Sequence, residues 1–239
     1  MNRIADVFGT SPVLLPVVHP IGHEEALASI RVAHDLGVRG VFLIDQGMVE
    51  RDVLLLMHEV RERYPKLWIG LNLLSRTPKR ALAIAIATCG FVDGIWADNA
   101  GIEEERAKGS SHPQAEEFTN ARRDARWEGL YFGGVAFKYQ HEVAPADLGR
   151  AAEMSIPYVD VLCTSGPGTG HPADIEKVRA LRAGLGDHAM ALASGVTPDN
   201  VKNYLPYVQA FLVGTGIEQR LGVLDPAKIE ALMRAMQDG

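Results

Sequence analysis

Eight short apolar runs, each followed by a segment with helical periodicity, predict an α/β fold: a single (β/α)8 TIM barrel over residues 1–239. Two further observations support this class. Each run is nearly continuous in apolar residues rather than alternating, which suits parallel strands buried on both faces. Each run also finishes on a polar or ionisable side chain. A doubly wound open sheet, the nearest competitor, would carry a glycine fingerprint after its first strand, and "HPIGHEE" is not one.

In chain order the predicted strands are "VLLPVVH" (13–19), "GVFLID" (40–45), "LWIGLNL" (67–73) and "VDGIWAD" (92–98). They continue with "LYFGGVAF" (130–137), "YVDVLCT" (158–164), "AMALAS" (189–194) and "AFLVGT" (210–215). The predicted helices cover 24–37, 48–64, 77–90, 113–127, 144–154, 172–186, 197–205 and 225–237. Thr77-Pro78, Thr197-Pro198 and Asp225-Pro226 have the form of an N-cap followed by proline at the first helical position. Gly37, Gly90 and Gly186 punctuate helix ends. One connection is long, "NAGIEEERAKGSSHP" (99–113); its length, mixed charge and Gly-Ser content predict a mobile lid, with a plain solvated insertion as the alternative.

Composition narrows the function classes. A net charge of −6 and a pI near 5.8 argue against a nucleic-acid or anionic-membrane surface. Two cysteines far apart in sequence give no disulfide framework, which fits a reducing cytoplasm. No signal-peptide core opens "MNRIADVFGT", so a soluble cytoplasmic protein is expected.

Barrel enzymes carry their sites at the C-terminal ends of the strands. Those ends are His19, Asp45, Asn72, Asp98, Lys138, Thr164, Ser194 and Thr215. Helix capping explains any one of them but not a polar residue on all eight. His19, Asp45, Asn72, Asp98 and Lys138 are the catalytic candidates, with Lys138 expected to be a cation close to Asp98. The loop "SGPGTG" after the sixth strand contributes Gly166, Gly168 and Thr169. "ASGVTPDNV" and "LVGTGIEQR" add Ser194, Gly195, Gly214 and Thr215, and Thr164 completes the set. Together these loops predict a phosphate site built from backbone amides, with a short helix near Thr215 pointing its positive end at the anion. No His-Glu-x-x-His or similar motif occurs, so neither a metal nor another cofactor is expected.

Four stretches resemble the BtpA/SgcQ family of TIM-barrel proteins: "IGLNLLSRTPKRALAIA", "AFKYQHE", "VLCTSGPGTGHPADIEKVRALR" and "LASGVTPDNV…AFLVGTGI". They cover about two thirds of the chain in family order, in the barrel phase derived above. The family's Asn at the end of strand 3 matches Asn72, and its following Arg matches Arg76. Its Lys-His pair after strand 5 is split here, with Tyr139 and Gln140 between Lys138 and His141. Asp45-Gln46 replaces the usual Glu-Asn, and the family's Pro-rich first loop is absent. The chain looks like a divergent member. The resemblance implies the barrel and the place of its site.

Two functions compete. One is an enzyme acting by acid/base chemistry on a small phosphorylated metabolite, a sugar phosphate or nucleotide-like compound. Its reaction would be isomerase- or lyase-type, or a glycosyl or ribosyl transfer. The other is a non-catalytic assembly, regulatory or metabolite-binding barrel, motivated by the family branch named for photosystem I biogenesis. The expected partners are a small phosphorylated ligand and further copies of the chain in a homo-oligomer.

Overall fold

The computed structural model describes residues 3–237. Eight parallel strands close into a barrel in the order β1 to β8, with β8 pairing back onto β1. The strands are β1 (Val13–Val18), β2 (Gly40–Ile44), β3 (Trp68–Asn72) and β4 (Gly94–Ala97), followed by β5 (Leu130–Gly134), β6 (Val161–Ser165), β7 (Ala189–Ala193) and β8 (Ala210–Val213). Every strand residue is buried, as the continuous apolar runs require.

Around the barrel lie α2 (His23–Asp35), α3 (Glu50–Arg63), α4 (Pro78–Cys89), α5 (Pro113–Asp124), α6 (Leu148–Ser155), α7 (Ile175–Leu185) and α8 (Pro226–Gln237). Thr77 caps α4 by accepting from the Arg80 amide at 3.3 Å, and Asp174 caps α7 by accepting from Glu176 at 2.9 Å.

Three elements depart from expectation. A first helix, α1 (Arg3–Phe8), precedes β1 and buries Ile4 and Phe8 in the barrel interior. The helix expected over 197–205 is a single 3₁₀ turn at Val201–Asn203, and Pro206 blocks its extension. After β8 comes another 3₁₀ turn, Thr215–Ile217, and then an antiparallel ribbon of β9 (Glu218–Arg220) and β10 (Val223–Leu224).

The interior is lopsided. Phe42, Trp68, Trp96 and Phe132 crowd the β2–β5 side in edge-to-face pairs with ring centroids 5.1–6.0 Å apart. Gly70 makes this possible, because a Cβ there would sit 2.3 Å from the Phe42 ring. Opposite them stand Ala189, Ala191, Ala193 and Ala210. A second apolar layer fills the space between barrel and helices.

The long connection 99–113 is stitched down at its ends. Ala100, Ile102 and His112 are buried, the Ala100 amide donates to Gly134, and Glu103 donates to His112 Nδ1 at 3.1 Å. None of its residues lines the pocket described next.

Candidate active site

Strand alternation decides which strand-end side chains reach the barrel mouth. Val13, Leu15 and Val17 face the interior on β1, which puts His19 in the same phase. Phe42 and Ile44 do so on β2, so Asp45 falls on the outer side. By the same count Asn72, Trp96, Asp98 and Ser165 point inward, and Thr164 points outward. A pocket of about 240 Å³ opens at this end of the barrel. Its apolar wall is Val17, Ile44, Leu74, Trp96, Ala193 and Leu212, and its polar groups are His19, Gln46, Asp98, Lys138, Tyr139, Thr169, Ser194 and Thr215. Gly214 completes the lining.

Asp98 is half-buried and accepts a hydrogen bond from Asn72 Nδ2 at 3.1 Å. Burial pushes its carboxyl above the usual carboxylate range, more strongly than the Asn72 bond and the Lys138 charge pull it down. Asn72 is buried and also lines an adjoining groove that shares Asp98 with the mouth. Lys138 Nζ does not pair directly with Asp98. It donates to the Thr169 hydroxyl at 3.1 Å, with the Phe137 and Tyr139 rings about 6 Å away.

His19 is buried on the opposite wall. Its Nδ1 lies 2.8 Å from Glu218 Oε1, with 9% and 4% of the two side chains exposed. Gly214 lies under the ring: a Cβ there would be 2.6 Å from His19 Cε1. Glu218 went unrecognised in the sequence, as did Tyr139, Gln46, Trp96, Ser165 and Lys177.

The glycine loop is organised differently from a phosphate cradle. The Thr169 amide donates to Tyr139 Oη at 3.3 Å, Gly170 to Ser194 Oγ at 2.9 Å, and His171 to the Gly168 carbonyl at 3.1 Å. Three consecutive amides are thus spent within the protein. Gly166 and Gly195 pack against the backbone of residues 171–172, where an added Cβ would lie 2.1 Å from the His171 oxygen in each case. Of the expected phosphate-binding residues, Thr169, Ser194, Gly214 and Thr215 reach the pocket. Gly166, Gly168, Gly195 and Thr164 do not. Thr164 is sealed beneath, its hydroxyl donating to the Ala136 carbonyl at 3.3 Å. Asp45 likewise turns away and accepts from the Leu74 amide at 2.7 Å.

The ends of β5 and β6 are held by Lys177, whose half-buried ammonium donates to the Ala136 and Ser165 carbonyls. Ser165 Oγ accepts from the Lys138 amide at 2.8 Å. Ala136, Tyr139 and Ser194 adopt positive φ of 48°, 61° and 78°. Such strained backbone concentrates at functional sites. Among the described residues, no group of three or more His, Cys, Asp or Glu side chains is placed to hold a metal ion. No helix among them is long and apolar enough to cross a membrane.

The family model that matches this chain is that of the BtpA family, over residues 53–238. The chain belongs to the BtpA family. A curated relative of this BtpA-family chain is N-(5'-phosphoribosyl)anthranilate isomerase from Pseudomonas fluorescens (strain Pf-5), 46% identical over 48 residues. That match spans 19% of the chain and only 23% of the relative. Among solved structures, phosphoribosyl anthranilate isomerase from Thermococcus kodakaraensis is similar with a TM-score of 0.67 at 20% identity, covering 96% of this chain and 100% of that one. Another phosphoribosyl anthranilate isomerase, solved with reduced 1-(o-carboxyphenylamino)-1-deoxyribulose 5-phosphate, has a TM-score of 0.63 at 13% identity, covering 95% and 100%. At these identities the likeness to solved structures is one of fold.

Proposed function

We propose that this protein is an enzyme that acts by proton transfer on a small phosphorylated metabolite at the C-terminal mouth of the barrel. One observation carries the reading: a single pocket sets a lysine and four hydroxyls beside two proton-transfer groups. Lys138 and the Thr169 and Thr215 hydroxyls supply a cation and donors for a phosphate, while the Ser194 hydroxyl donates to the Gly168 carbonyl at 3.2 Å. The 3₁₀ turn at Thr215 is only three residues long, so Lys138, rather than a helix dipole, provides the charge. Asp98, kept protonated to a higher pH by burial, serves as general acid, and His19 serves as base.

The mouth is small. At about 240 Å³ it lies below the roughly 300–1,000 Å³ of drug-sized sites, which favours a sugar phosphate over a nucleotide-like compound. The curated relative, itself named as an isomerase of a phosphoribosyl compound, supports the isomerase version of the chemistry. A cytoplasmic homo-oligomer belongs to the same reading.

The test is a thermal-shift screen of phosphorylated metabolites, with inorganic phosphate as reference and Lys138→Met as control. A ligand at 100 times its Kd should add about 2.7 kcal/mol of stability. Stabilisation that is lost in the variant, followed by turnover of the stabilising compound, supports the proposal. If no phosphorylated compound stabilises the wild type, the proposal is overturned.

A further inference from the structure

We propose that Glu218 is the positioning partner of His19: it holds the ring as the Nδ1–H tautomer, so that Nε2 is the proton acceptor presented to the pocket. The inference rests on the mouth being a proton-transfer site, but its geometry stands independently of the substrate. A carboxylate can only accept, so the 2.8 Å contact requires the proton on Nδ1. Glu218 Oε1 also accepts from the Gly222 amide at 3.1 Å, which fixes the carboxylate from a second side.

The support behind Glu218 is rigid. Leu224 pairs with it across the ribbon, and its carbonyl accepts from Lys228 Nζ at 2.6 Å. Ser29 then joins the ribbon to α2, donating to the Gly222 carbonyl at 3.0 Å and accepting from the Leu224 amide at 3.1 Å. On the other side the ring lies against Gly214, whose missing Cβ allows the approach. Both side chains of the pair are more than nine-tenths buried. Filling this space alone would be better done by apolar residues, since burying a carboxylate is costly without a partner.

The chemical consequence is specific. Nε2 has no hydrogen-bond partner among the described residues, and His19 lines the pocket. When Nε2 takes a proton from a bound substrate, Nδ1 keeps its own, and the resulting imidazolium faces the Glu218 carboxylate. The proton is then available to return from Nε2 to another atom of the same substrate. The hydrogen bond sets which nitrogen acts, as in other histidine-carboxylate pairs.

The experiment is ¹⁵N NMR of the ligand-free, histidine-labelled protein, with the His19 signals assigned by their loss in His19→Asn. At a pH where the ring is neutral, wild type should show a pyrrole-type Nδ1 and a pyridine-type Nε2. Glu218→Gln should keep that tautomer, because its amide oxygen can accept the same two bonds. Glu218→Met removes the acceptor and should release the ring to the Nε2–H form. If Glu218→Met does not fold, wild type and Glu218→Gln decide. Once a substrate is in hand, Glu218→Gln should lower kcat about 10-fold or more with KM little changed, because it lacks the charge facing the imidazolium. An Nε2–H tautomer or a mixture in wild type overturns the proposal, as does an unchanged tautomer in folded Glu218→Met. Failure of the enzyme reading would show separately, as a fixed Nδ1–H tautomer in a protein that binds no phosphorylated compound.

Discussion

Asn72 donates its side-chain amide to Asp98 Oδ1 across 3.1 Å, from the end of β3 to the residue following β4. The bond favours the carboxylate, yet burial outweighs it and Asp98 titrates above its ordinary 3.8. The folded protein therefore holds this proton more tightly than the unfolded chain, and stability falls as pH rises from 3.8 through the folded value. Asp98→Asn is expected to be more stable than wild type at pH 7 and inactive. Its stability advantage should shrink as the pH falls toward 3.8, and chemical denaturation across that range measures it.

Lys138→Met should separate binding from stability. The ammonium's hydrogen bond is to the partly exposed Thr169 side chain, so the melting temperature should move little. A charged hydrogen bond to phosphate is worth about 1.5–3 kcal/mol, so affinity for a phosphorylated ligand should fall roughly 10- to 100-fold. Borohydride added with the substrate should leave no adduct on Lys138. A covalent adduct there would replace the cationic role with a Schiff base.

Gly195→Ala should act on folding before it acts on binding. The residue has a φ of +69°, and a Cβ would lie 2.1 Å from the His171 oxygen. Positive φ and a backbone clash together predict a loss of at least about 2 kcal/mol in urea titrations. Gly168→Ala is the contrasting control, because its nearest contact is a movable side-chain atom at 3.3 Å.

Trp96→Phe tests the pocket floor. The indole Nε1 is buried, with no partner among the described residues. Removing an unpaired donor offsets much of the lost packing, so the change should cost less than about 1 kcal/mol, against about 3–5 for Trp96→Ala. A cost as large for Phe as for Ala would show that Nε1 is bonded in solution.

Most of the barrel was legible in the sequence because buried parallel strands write themselves as apolar runs, and all eight lie where those runs are. Their polar ends were less legible. The last polar residue of a run is not always the one that faces inward: the two-residue alternation turns Ser165 inward rather than Thr164, and turns Asp45 outward. Glu218 was out of reach for another reason. It meets His19 across 199 positions of sequence, from a ribbon too short to leave a periodic pattern. The glycines of "SGPGTG" signalled close approach correctly, but sequence alone does not distinguish approach to a ligand from approach to the chain itself. Gly166 does the latter.

The first helix has a consequence for traffic. Ile4 and Phe8 are buried in the barrel interior beneath the aromatic rings, Phe8 meeting Trp68 edge-on at 5.3 Å. With the interior packed in this way, a ligand of the mouth is expected to leave by the doorway it entered. Under the proposed reaction, substrate and product would share that one opening, and a product that lingers there would exclude the next substrate.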